Sequence, residues 1–416
     1  MNGLKTGSQC ASAFALLALV SGCMQSRVEE SRELHTKIQK DEAVVNPVIS
    51  RQEILDLRGI CHQVLTAPHV QDHAIDLVMA TQPEDGHELS RKYIEPAVRE
   101  IGDPLAPGWP SADLLRQFDR ISVAELLRSR GASPEEIALL RFTYSDEWDN
   151  GTAPDSALCL LRDEAIARKG ASFRIRGGND RLPRALAQAL GDRVHYRVTL
   201  KRIAQNNRGV TVTVQESGRH SQISGDYIIC AIPFTVLRSI EVSPAFSTGK
   251  QQAIRGLSYN SVTRVYVQAP TRSWIAEGLS GFATTDLPIG TVWDCTEGQP
   301  GARGILECYT SGERARRLAS LSEPERLRSV VENLQKVYAG VTREKSVSIA
   351  WDADPLVKGA FAWFKRDQMA TLLPHIARRE GRVFFAGEHT SPWFGWMQGA
   401  LQSGNRAAHE VSEASS

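Results

Sequence analysis

One stretch near the end of the chain, RVFFAGEHTSPWFGWMQGALQSGNRAAHEV, constrains the fold more than any other part of the sequence. Its residues 383–386 form a continuous apolar run, which is typical of a strand buried on both faces. Gly387 and Glu388 end the run, and a loop of aromatic residues then leads into a helix of small residues. A buried strand, a turn and a helix in this order predict an α/β fold, in which ligands bind outside the carboxyl ends of the strands.

Two features of this stretch favour a ligand at that edge. Gly387 has no side chain, so the backbone there can approach a bound molecule closely. The helix that begins near Gly399 offers N–H groups and a positive dipole end to electron-rich groups. On these residues alone, an ordinary strand, loop and helix with a close packing contact is the alternative.

The composition argues against several other kinds of site. Lys and Arg total 49 against 48 Asp and Glu, so a net charge of +1 gives no footprint for nucleic acid, and we expect no such partner. Five of the seven cysteines lie beyond residue 23 and are widely scattered, which is not the pattern of a disulfide framework. Neither C-x-x-C nor H-E-x-x-H occurs, and we expect no metal site.

The first 23 residues are similar to an export signal. Lys5 precedes an apolar run over residues 11–20, which is shorter than the ~20 residues that span a bilayer. The run closes on VSGC, which resembles the lipobox of bacterial lipoproteins, in which the cysteine is lipidated. We therefore expect an exported protein, periplasmic or anchored to the membrane through Cys23. An accidental apolar start and a misassigned gene start are the alternatives.

Composition and periodicity divide the chain into five parts. The predicted parts are a signal peptide of lipoprotein type (1–23), a polar linker (24–50), a mostly helical lobe (51–170), a mixed α/β region (171–350) and a C-terminal ligand-binding segment (351–416).

Local patterns predict several elements within these parts. Ser122 and Glu125 match a capping box, and Pro134 matches the first position of a second helix. Residues 194–215 alternate with period two around an Asn-rich turn, which predicts a β-hairpin.

The terminal stretch resembles the C-terminal signature of the flavin monoamine oxidase family, which includes monoamine, polyamine and L-amino-acid oxidases. Upstream, RGGNDRLPRALA, RVTLKRI, DYIICAIPFTVLRSIEVSPAF, GFATTDLPIG and WDADPLVKGAFAWF are similar to further family segments in the same order. The likeness covers roughly residues 40–411. It implies a substrate lobe of mixed sheet and helices, packed on the C-terminal part of a Rossmann-like FAD-binding sheet.

The resemblance also implies which residues would contact the cofactor. In the family, the Gly-Glu pair lies at the ribityl and phosphate region, the Gly-aromatic-Met segment lies at the isoalloxazine ring, and a strand valine touches the adenine. Carried over, the FAD-binding residues are Val198, Gly387, Glu388, Gly395, Trp396, Met397, Gln398, Gly399 and Ala400. Ala360 stands where some relatives carry the cysteine that binds flavin covalently, so non-covalent FAD is implied.

Three residues stand at positions that the family uses for catalysis. Phe361 and Trp396 match two facing aromatic residues that hold the amine, whose cation their electron-rich faces favour. Arg264 stands on the strand where relatives often carry a lysine that assists reoxidation of the flavin by oxygen. Arginine does not easily release a proton, so an inward Arg264 favours a dehydrogenase that uses another acceptor. Core packing is the alternative for the aromatic residues, and a surface position is the alternative for Arg264.

The front of the chain departs from the family. Relatives begin with G-x-G-x-x-G, whose glycines let the backbone meet the FAD pyrophosphate. Here no two glycines are separated by a single residue, so the N-terminal βαβ unit is expected to be missing. Its loss would leave the strand before Gly387 with an exposed apolar edge or face. A truncated relative, a second chain that supplies the dinucleotide-binding half, and a repurposed binding lipoprotein are the three explanations.

Together these patterns predict a FAD-dependent oxidoreductase that moves a hydride from an amine or amino acid to flavin N5, with hydrolysis of the imine. The alternative is a non-catalytic, truncated relative that acts as an exported lipoprotein subunit or binding protein. The missing fingerprint favours the alternative, whereas the intact terminal stretch favours the enzyme.

Overall fold

The computed structural model describes residues 13–16, 88–144, 155–168, 175, 178–285, 287–296 and 299–415, which form a mixed α/β fold. The strands are β1 (Ala13–Leu16), β2 (Thr199–Gln205), β3 (Val210–Glu216), β4 (Arg219–Gly225), β5 (Tyr227–Cys230), β6 (Glu241–Ser243), β7 (Val262–Ala269), β8 (Ala283–Thr284), β9 (Thr291–Asp294), β10 (Gly304–Ser311), β11 (Lys345–Ala350) and β12 (Val383–Phe385).

Helices surround these strands and dominate the described residues between 88 and 168. The α-helices are α1 (Glu95–Glu100), α2 (Ala112–Leu114), α3 (Val123–Ser129), α4 (Pro134–Thr143), α5 (Ala157–Ala167), α6 (Arg181–Leu190), α7 (Phe234–Leu237), α8 (Thr248–Gly256), α9 (Ser273–Ala276), α10 (Gly312–Ser320), α11 (Glu323–Val337), α12 (Gln368–Ile376) and α13 (Met397–Ala414). Shorter π-helical and 3-10 segments are Ser90–Ile94, Leu115–Asp119, Gly191–Arg193, Trp351–Ala353 and Glu388–Thr390.

The smallest sheet positions the terminal stretch. It has the order β1-β5-β12, and both of its pairings are parallel. The carboxyl ends of the three strands therefore share one edge, and Gly387 lies just beyond the end of β12. Four residues of the predicted signal peptide form β1. The other residues of the signal and linker, and Cys23 with them, lie outside the described part of the chain.

Both faces of β12 are covered. Val383, Phe384 and Phe385 are all 0% exposed. Phe384 packs in a cluster with Ala407 and Val411 of α13, and Phe385 packs in the main core. The burial that the apolar run predicts is therefore confirmed, because successive side chains of a strand point to opposite sides and each side meets its own apolar layer. The exposed apolar edge or face expected from a missing N-terminal unit is wrong for these three residues.

The other two sheets belong to the middle of the chain. One has the order β11-β7-β10-β9-β8 and is antiparallel throughout, with α10 and α11 nearby. The other has the order β4-β3-β2-β6 and contains the predicted hairpin, which is confirmed as β2 and β3. Asn206 shapes the hairpin turn, since its side-chain oxygen accepts from the N–H groups of Arg208 and Gly209 at 2.8 and 3.1 Å.

The predicted helix starts are also confirmed. Ser122 and Glu125 form a reciprocal capping box at α3, and Ser133 and Glu136 form another at α4. Pro134 occupies the first turn of α4, where its missing N–H is not needed. These local signals act within one helical turn, which is why the sequence alone reveals them.

The described cysteines behave mostly as small core residues. Cys159, Cys230 and Cys308 are buried and Cys295 is half-buried, and none of these four forms a disulfide within the described residues. Within the residues that the structure describes, no His, Cys, Asp and Glu cluster could hold a metal ion. Nor does any helix of the described residues have the length and apolarity needed to cross a membrane.

Candidate active site

Gly387 makes the turn between β12 and the rest of the terminal stretch. Its φ is +111°, a conformation that L side chains rarely adopt. A Cβ at this position would lie 2.6 Å from Cε1 of His389. The Gly387 N–H donates to Oγ of Ser403 in α13 at 2.9 Å, which ties the end of the strand to the helix.

Glu388 joins two segments that are distant in the sequence. Its side chain is buried, and its Oε1 accepts from the Ala362 N–H at 3.1 Å while Oε2 accepts from the Gly395 N–H at 2.7 Å. Burial raises the pKa of Glu388, and these two backbone donors together with Arg162 act in the opposite direction. Both carboxylate oxygens therefore already have a backbone donor within the protein.

Phe361 is brought to the same place by this bridge. It precedes Ala362 in the chain, and a Cβ on Gly395 would lie 3.5 Å from its Cδ2. The Phe361 carbonyl accepts from the Asn260 N–H at 2.8 Å, and its half-buried ring meets Trp363 edge-on at 6.1 Å between centroids. Phe361 and the loop that carries Trp396 are thus neighbours.

A residue of helix α5 holds the Trp396 side chain in place. It is half-buried, and its indole Nε1 donates to Oδ1 of Asp163 in α5 at 2.8 Å. The same Asp163 oxygen lies 3.2 Å from Nη1 of Arg162. The sequence analysis missed both charged residues. The available signal was an adjacent Arg and Asp in the otherwise largely apolar segment ALCLLRDEAIA.

The first residues of α13 differ in how deeply they are buried. Gly399 is buried, and a Cβ there would lie 2.2 Å from the Trp393 carbonyl oxygen, so the close approach of loop and helix requires glycine. Met397 and Ala400 are half-buried, and Gln398 is exposed.

Arg264 is buried on β7, so the surface alternative is wrong. Its Nη1 lies 3.0 Å from Oε1 of Glu307 on β10, and its guanidinium carbon lies 4.7 Å from the centre of the Tyr309 ring. The side chain therefore takes part in a buried ion pair of the five-stranded sheet, and its predicted role in reoxidation stays a prediction.

Val198 and His389 both pack against residues of the main core. Val198 lies just before β2, half-buried against the main core, and its predicted contact with adenine stays a prediction. His389, which follows Glu388, is buried, and its ring centre lies 4.5 Å from that of Phe234. Burial lowers the pKa of His389 to about 3, which makes its ring neutral at ordinary pH.

The surroundings of Gly387 and the first turn of α13 suit a bound flavin. Gly387 has the positive φ and lack of Cβ that a close ligand approach needs, and it lies at the carboxyl edge of a parallel sheet. The first turn of α13, beginning at Met397, presents the N–H groups of an 18-residue helix to the same region. Gly387, Glu388, Gly395 and the start of α13, which the resemblance assigns to FAD, therefore lie in neighbouring segments.

Comparison with known protein families identifies the family of this chain. The family described as flavin containing amine oxidoreductase matches residues 90–412. The chain belongs to this family. The resemblance inferred from the terminal stretch is confirmed, and membership of this family implies a flavin cofactor and supports chemistry of the amine oxidase type.

Two relatives show how much of a longer protein the chain covers. It is 35% identical over 345 residues to the putative L-amino-acid oxidase YobN of Bacillus subtilis, a match that covers 80% of this chain and 70% of the relative. It is 26% identical over 312 residues to L-amino-acid oxidase BmooLAAO-I of Bothrops moojeni, covering 73% and 62% respectively. The match thus spans less than two thirds of the Bothrops protein.

Solved structures show the same fold. The cyclohexylamine oxidase of Brevibacterium oxydans matches with a TM-score of 0.67 at 21% identity, covering 82% of this chain and 76% of that one. A putrescine oxidase bound to putrescine matches with a TM-score of 0.66 at 20% identity, covering 80% and 76%. The fold is therefore that of flavin amine oxidases.

Proposed function

We propose that this chain holds FAD non-covalently and oxidises an amine or amino acid. The bridge made by Glu388 carries the proposal, since its carboxylate ties the segment after Phe361 to the loop before Trp396. This bridge places Phe361 beside Gly395, the residue before Trp396, and the family resemblance assigns Phe361 and Trp396 to the substrate. The relatives named as L-amino-acid oxidases support an amino acid as one substrate class.

Bound FAD would supply the redox chemistry, by accepting a hydride at N5 from the α-carbon of the substrate. The chain's own residues position and desolvate the amine. The electron-rich faces of Phe361 and Trp396 favour the amine, and Asp163 fixes the plane of the indole. Gly387, Glu388 and the first turn of α13 hold the cofactor, and Ala360 offers no thiol for a covalent bond. The imine product leaves and is hydrolysed to a carbonyl compound and ammonia or a smaller amine.

Arg264 bears on how the reduced flavin would be reoxidised. A buried arginine paired with Glu307 keeps its proton, so it does not serve as an acid or base during reoxidation. We therefore expect an electron acceptor other than oxygen to give the faster turnover. Dye reduction that is no faster than oxygen consumption would contradict this expectation.

The first test is the visible spectrum of the purified full chain after incubation with FAD and desalting. Retained bands near ~370 and ~450 nm are expected, because a held cofactor keeps its own absorption. The matched control is Gly387→Val, in which a branched side chain would meet the His389 ring and block close approach of the backbone. A colourless wild-type protein would overturn the enzyme proposal for this chain alone.

One sequence observation favours a second function. No two glycines of the chain are separated by a single residue, so the family's pyrophosphate-binding turn is absent from the sequence. A non-catalytic subunit or binding lipoprotein, completed by a second chain with the dinucleotide-binding half, is the resulting alternative. It predicts a folded chain that stays colourless alone and retains FAD only after mixing with that partner.

Export and lipid anchoring at Cys23 are a separate proposal, because cleavage before Cys23 would remove β1 from the three-stranded sheet. The apolar run and VSGC support them. Expressed in a bacterial host, the full chain is expected in the membrane fraction and Cys23→Ser in the soluble fraction. Equal distribution of the two proteins would contradict the lipid anchor.

A further inference from the structure

A groove lies between α9 and the turn that leads into β10. Its volume is about 570 Å³, within the range of roughly 300–1,000 Å³ that is typical of small-molecule sites. The residues that line it include Arg272, Ile275, Ala276, Asp294 and Ala302. Asn260, which donates to the Phe361 carbonyl, lies just before β7, whereas Arg272 lies just after it. The eight residues of β7 rise ~3.3 Å each, so roughly 25 Å separates the groove from the segment of Phe361.

The protein holds the Arg272 side chain in a fixed position at this groove. Its Nε donates to the Arg303 carbonyl at 3.0 Å, and its Nη2 donates to the Gln299 carbonyl at 2.9 Å. The stem packs on Gly304, where an added Cβ would lie 2.7 Å from Cγ of Arg272. A side chain that is already ordered loses little further freedom when a ligand binds to it.

The guanidinium of Arg272 keeps donors and a charge for a ligand. Arginine has five N–H donors, and the two bonds to backbone carbonyls use one on Nε and one on Nη2. Both hydrogens of Nη1 and one of Nη2 remain, and the described residues offer Arg272 no ion-pair partner. An anionic oxygen can accept from these donors in a charge-assisted hydrogen bond. The groove therefore offers a cationic receptor to an anionic group.

Asp294 limits the charge of the ligand. It is buried, its Oδ2 accepts from the Trp274 indole at 2.9 Å, and its Oδ1 accepts from the Thr296 N–H at 2.7 Å. These bonds fix a carboxylate in the lining of the same groove. Because like charges repel, this carboxylate disfavours a dianion such as phosphate more than it disfavours a monoanion.

The rest of the named lining is apolar and open to solvent. Ile275 is 52% exposed although its side chain is large and aliphatic, and Ala276 and Ala302 are exposed beside it. Ile275 and Ala276 follow Arg272 by three and four residues, so α9 presents the charge and the apolar side chains on one face. An aliphatic body that covers this face would remove apolar surface from water.

We propose that this groove binds an aliphatic monocarboxylate, with its carboxylate on Arg272 and its alkyl chain on Ile275, Ala276 and Ala302. The site is distinct from the one assigned to oxidation, and its occupation does not require FAD. Straight-chain and branched-chain acids share this chemistry, so both are used as probes.

The test is a titration of the purified full chain, followed by ligand-observed NMR. The probes are hexanoate and 4-methylpentanoate, each compared with its amide, together with acetate and inorganic phosphate. Wild type should bind at least one of the two longer acids roughly tenfold more tightly than its amide, because the amide carries no charge. Acetate should bind more weakly than that acid, because it lacks the chain.

Three results on wild type would overturn the proposal. They are equal affinities for acid and amide, no binding of either longer acid, and phosphate binding as tight as that of the acids. The first two leave no role for a charged and apolar receptor, and the third contradicts the preference for a monoanion.

One pair of variants tests the role of the charge. Arg272→Gln removes the cation and should abolish the preference for acid over amide. The matched control is Arg303→Gln, which removes a charge from the neighbouring turn and leaves the backbone carbonyl that holds Arg272. Since the Arg303 guanidinium pairs with Glu344 at 2.9 Å, this control should keep the wild-type preference.

A second pair of variants tests the location. Ala302→Phe fills the groove from an exposed position, so it should weaken the binding of acid and amide alike. Ala189→Phe, at an exposed position of α6, should bind as wild type does. Acid binding that survives both Arg272→Gln and Ala302→Phe belongs to another site and overturns the proposal. If Arg272→Gln does not fold, Ala302→Phe and the probe series on wild type decide.

Discussion

Glu388 illustrates how one side chain holds the site together. Its two oxygens accept from Ala362 and Gly395, two N–H groups that lie in different segments. A glutamine at this position keeps one acceptor but turns an NH₂ group toward the other N–H. We expect Glu388→Gln to lower the free energy of unfolding by about 1–3 kcal/mol, as measured by urea denaturation.

The control for this substitution is Glu410→Gln on α13. Glu410 pairs with Arg406 at a half-exposed position, where such pairs contribute under ~1 kcal/mol. If both glutamine variants shift the urea midpoint equally, the bridge assigned to Glu388 does not stabilise the protein.

Lys250 predicts a pH dependence of stability. Its side chain is 0% exposed, and its Nζ donates to the Ile376 carbonyl at 2.6 Å and lies 3.6 Å from the centre of the Phe385 ring. Burial lowers the pKa of Lys250 from 10.5 to about 7, although Glu380 acts to raise it; Arg406 and Arg378 lower it further.

The direction of this pH dependence follows from whether the folded or the unfolded chain binds the Lys250 proton more tightly. The unfolded chain protonates Lys250 below about pH 10.5, whereas the folded chain does so only below about pH 7. Wild type should therefore lose stability relative to Lys250→Met as the pH falls from 10.5 to 7, and the difference should be constant below 7. Lys336→Met, at an exposed position of α11, should show no such trend in urea denaturation.

At the scale of elements, the packing of α13 against the aromatic loop depends on Gly399. A Cβ there would lie 2.2 Å from a backbone oxygen, which cannot rotate away as a flexible side chain can. We expect Gly399→Ala to lower the free energy of unfolding by about 1–3 kcal/mol, because loop and helix must move apart.

Gly404 offers a matched control in the same helix. Nothing lies within 4 Å of a Cβ built there, so Gly404→Ala should stabilise the helix by up to ~1 kcal/mol. A lower melting temperature for Gly399→Ala together with a higher one for Gly404→Ala would separate the effect of close packing from that of helix propensity. A higher melting temperature for Gly399→Ala would show that the close contact with the Trp393 carbonyl is not needed.

The sequence predicted elements whose determinants are local. The capping box at Ser122, the hairpin of β2 and β3 and the terminal strand, turn and helix all depend on residues close together in the chain. Arg162 and Asp163 escaped prediction because their partners, Phe394 and Trp396, lie more than 200 residues away. The burial of β12 was predicted from its continuous apolar run, but the layers that cover it were not, since they come from separate segments.

At the scale of the whole molecule, Asp163 links the helical part of the chain to the terminal stretch. It is buried, it accepts from Trp396, and it is the ion-pair partner of the fully buried Arg162. Removing one partner of a buried pair leaves an uncompensated charge. We expect Asp163→Ala to destabilise the protein by about 3–5 kcal/mol in urea denaturation.

A surface pair provides the comparison for this substitution. Glu241 and Arg202 lie 2.8 Å apart with side chains that are 67% and 40% exposed, so Glu241→Ala should have a far smaller effect. Trp fluorescence of Asp163→Ala should also change, because the indole of Trp396 loses its acceptor. An unchanged midpoint and spectrum would show that the two parts are joined by other contacts.

The contact between Arg162 and Phe394 also has a consequence for synthesis on the ribosome. The two residues are 232 positions apart, so α5 leaves the ribosome long before its carbonyl partner exists. At typical translation speeds this delay is on the order of ten to fifty seconds. During that interval the guanidinium must stay hydrated, which keeps α5 from closing into its final core. The later translation of the terminal stretch therefore completes the burial of this helix as well as the site.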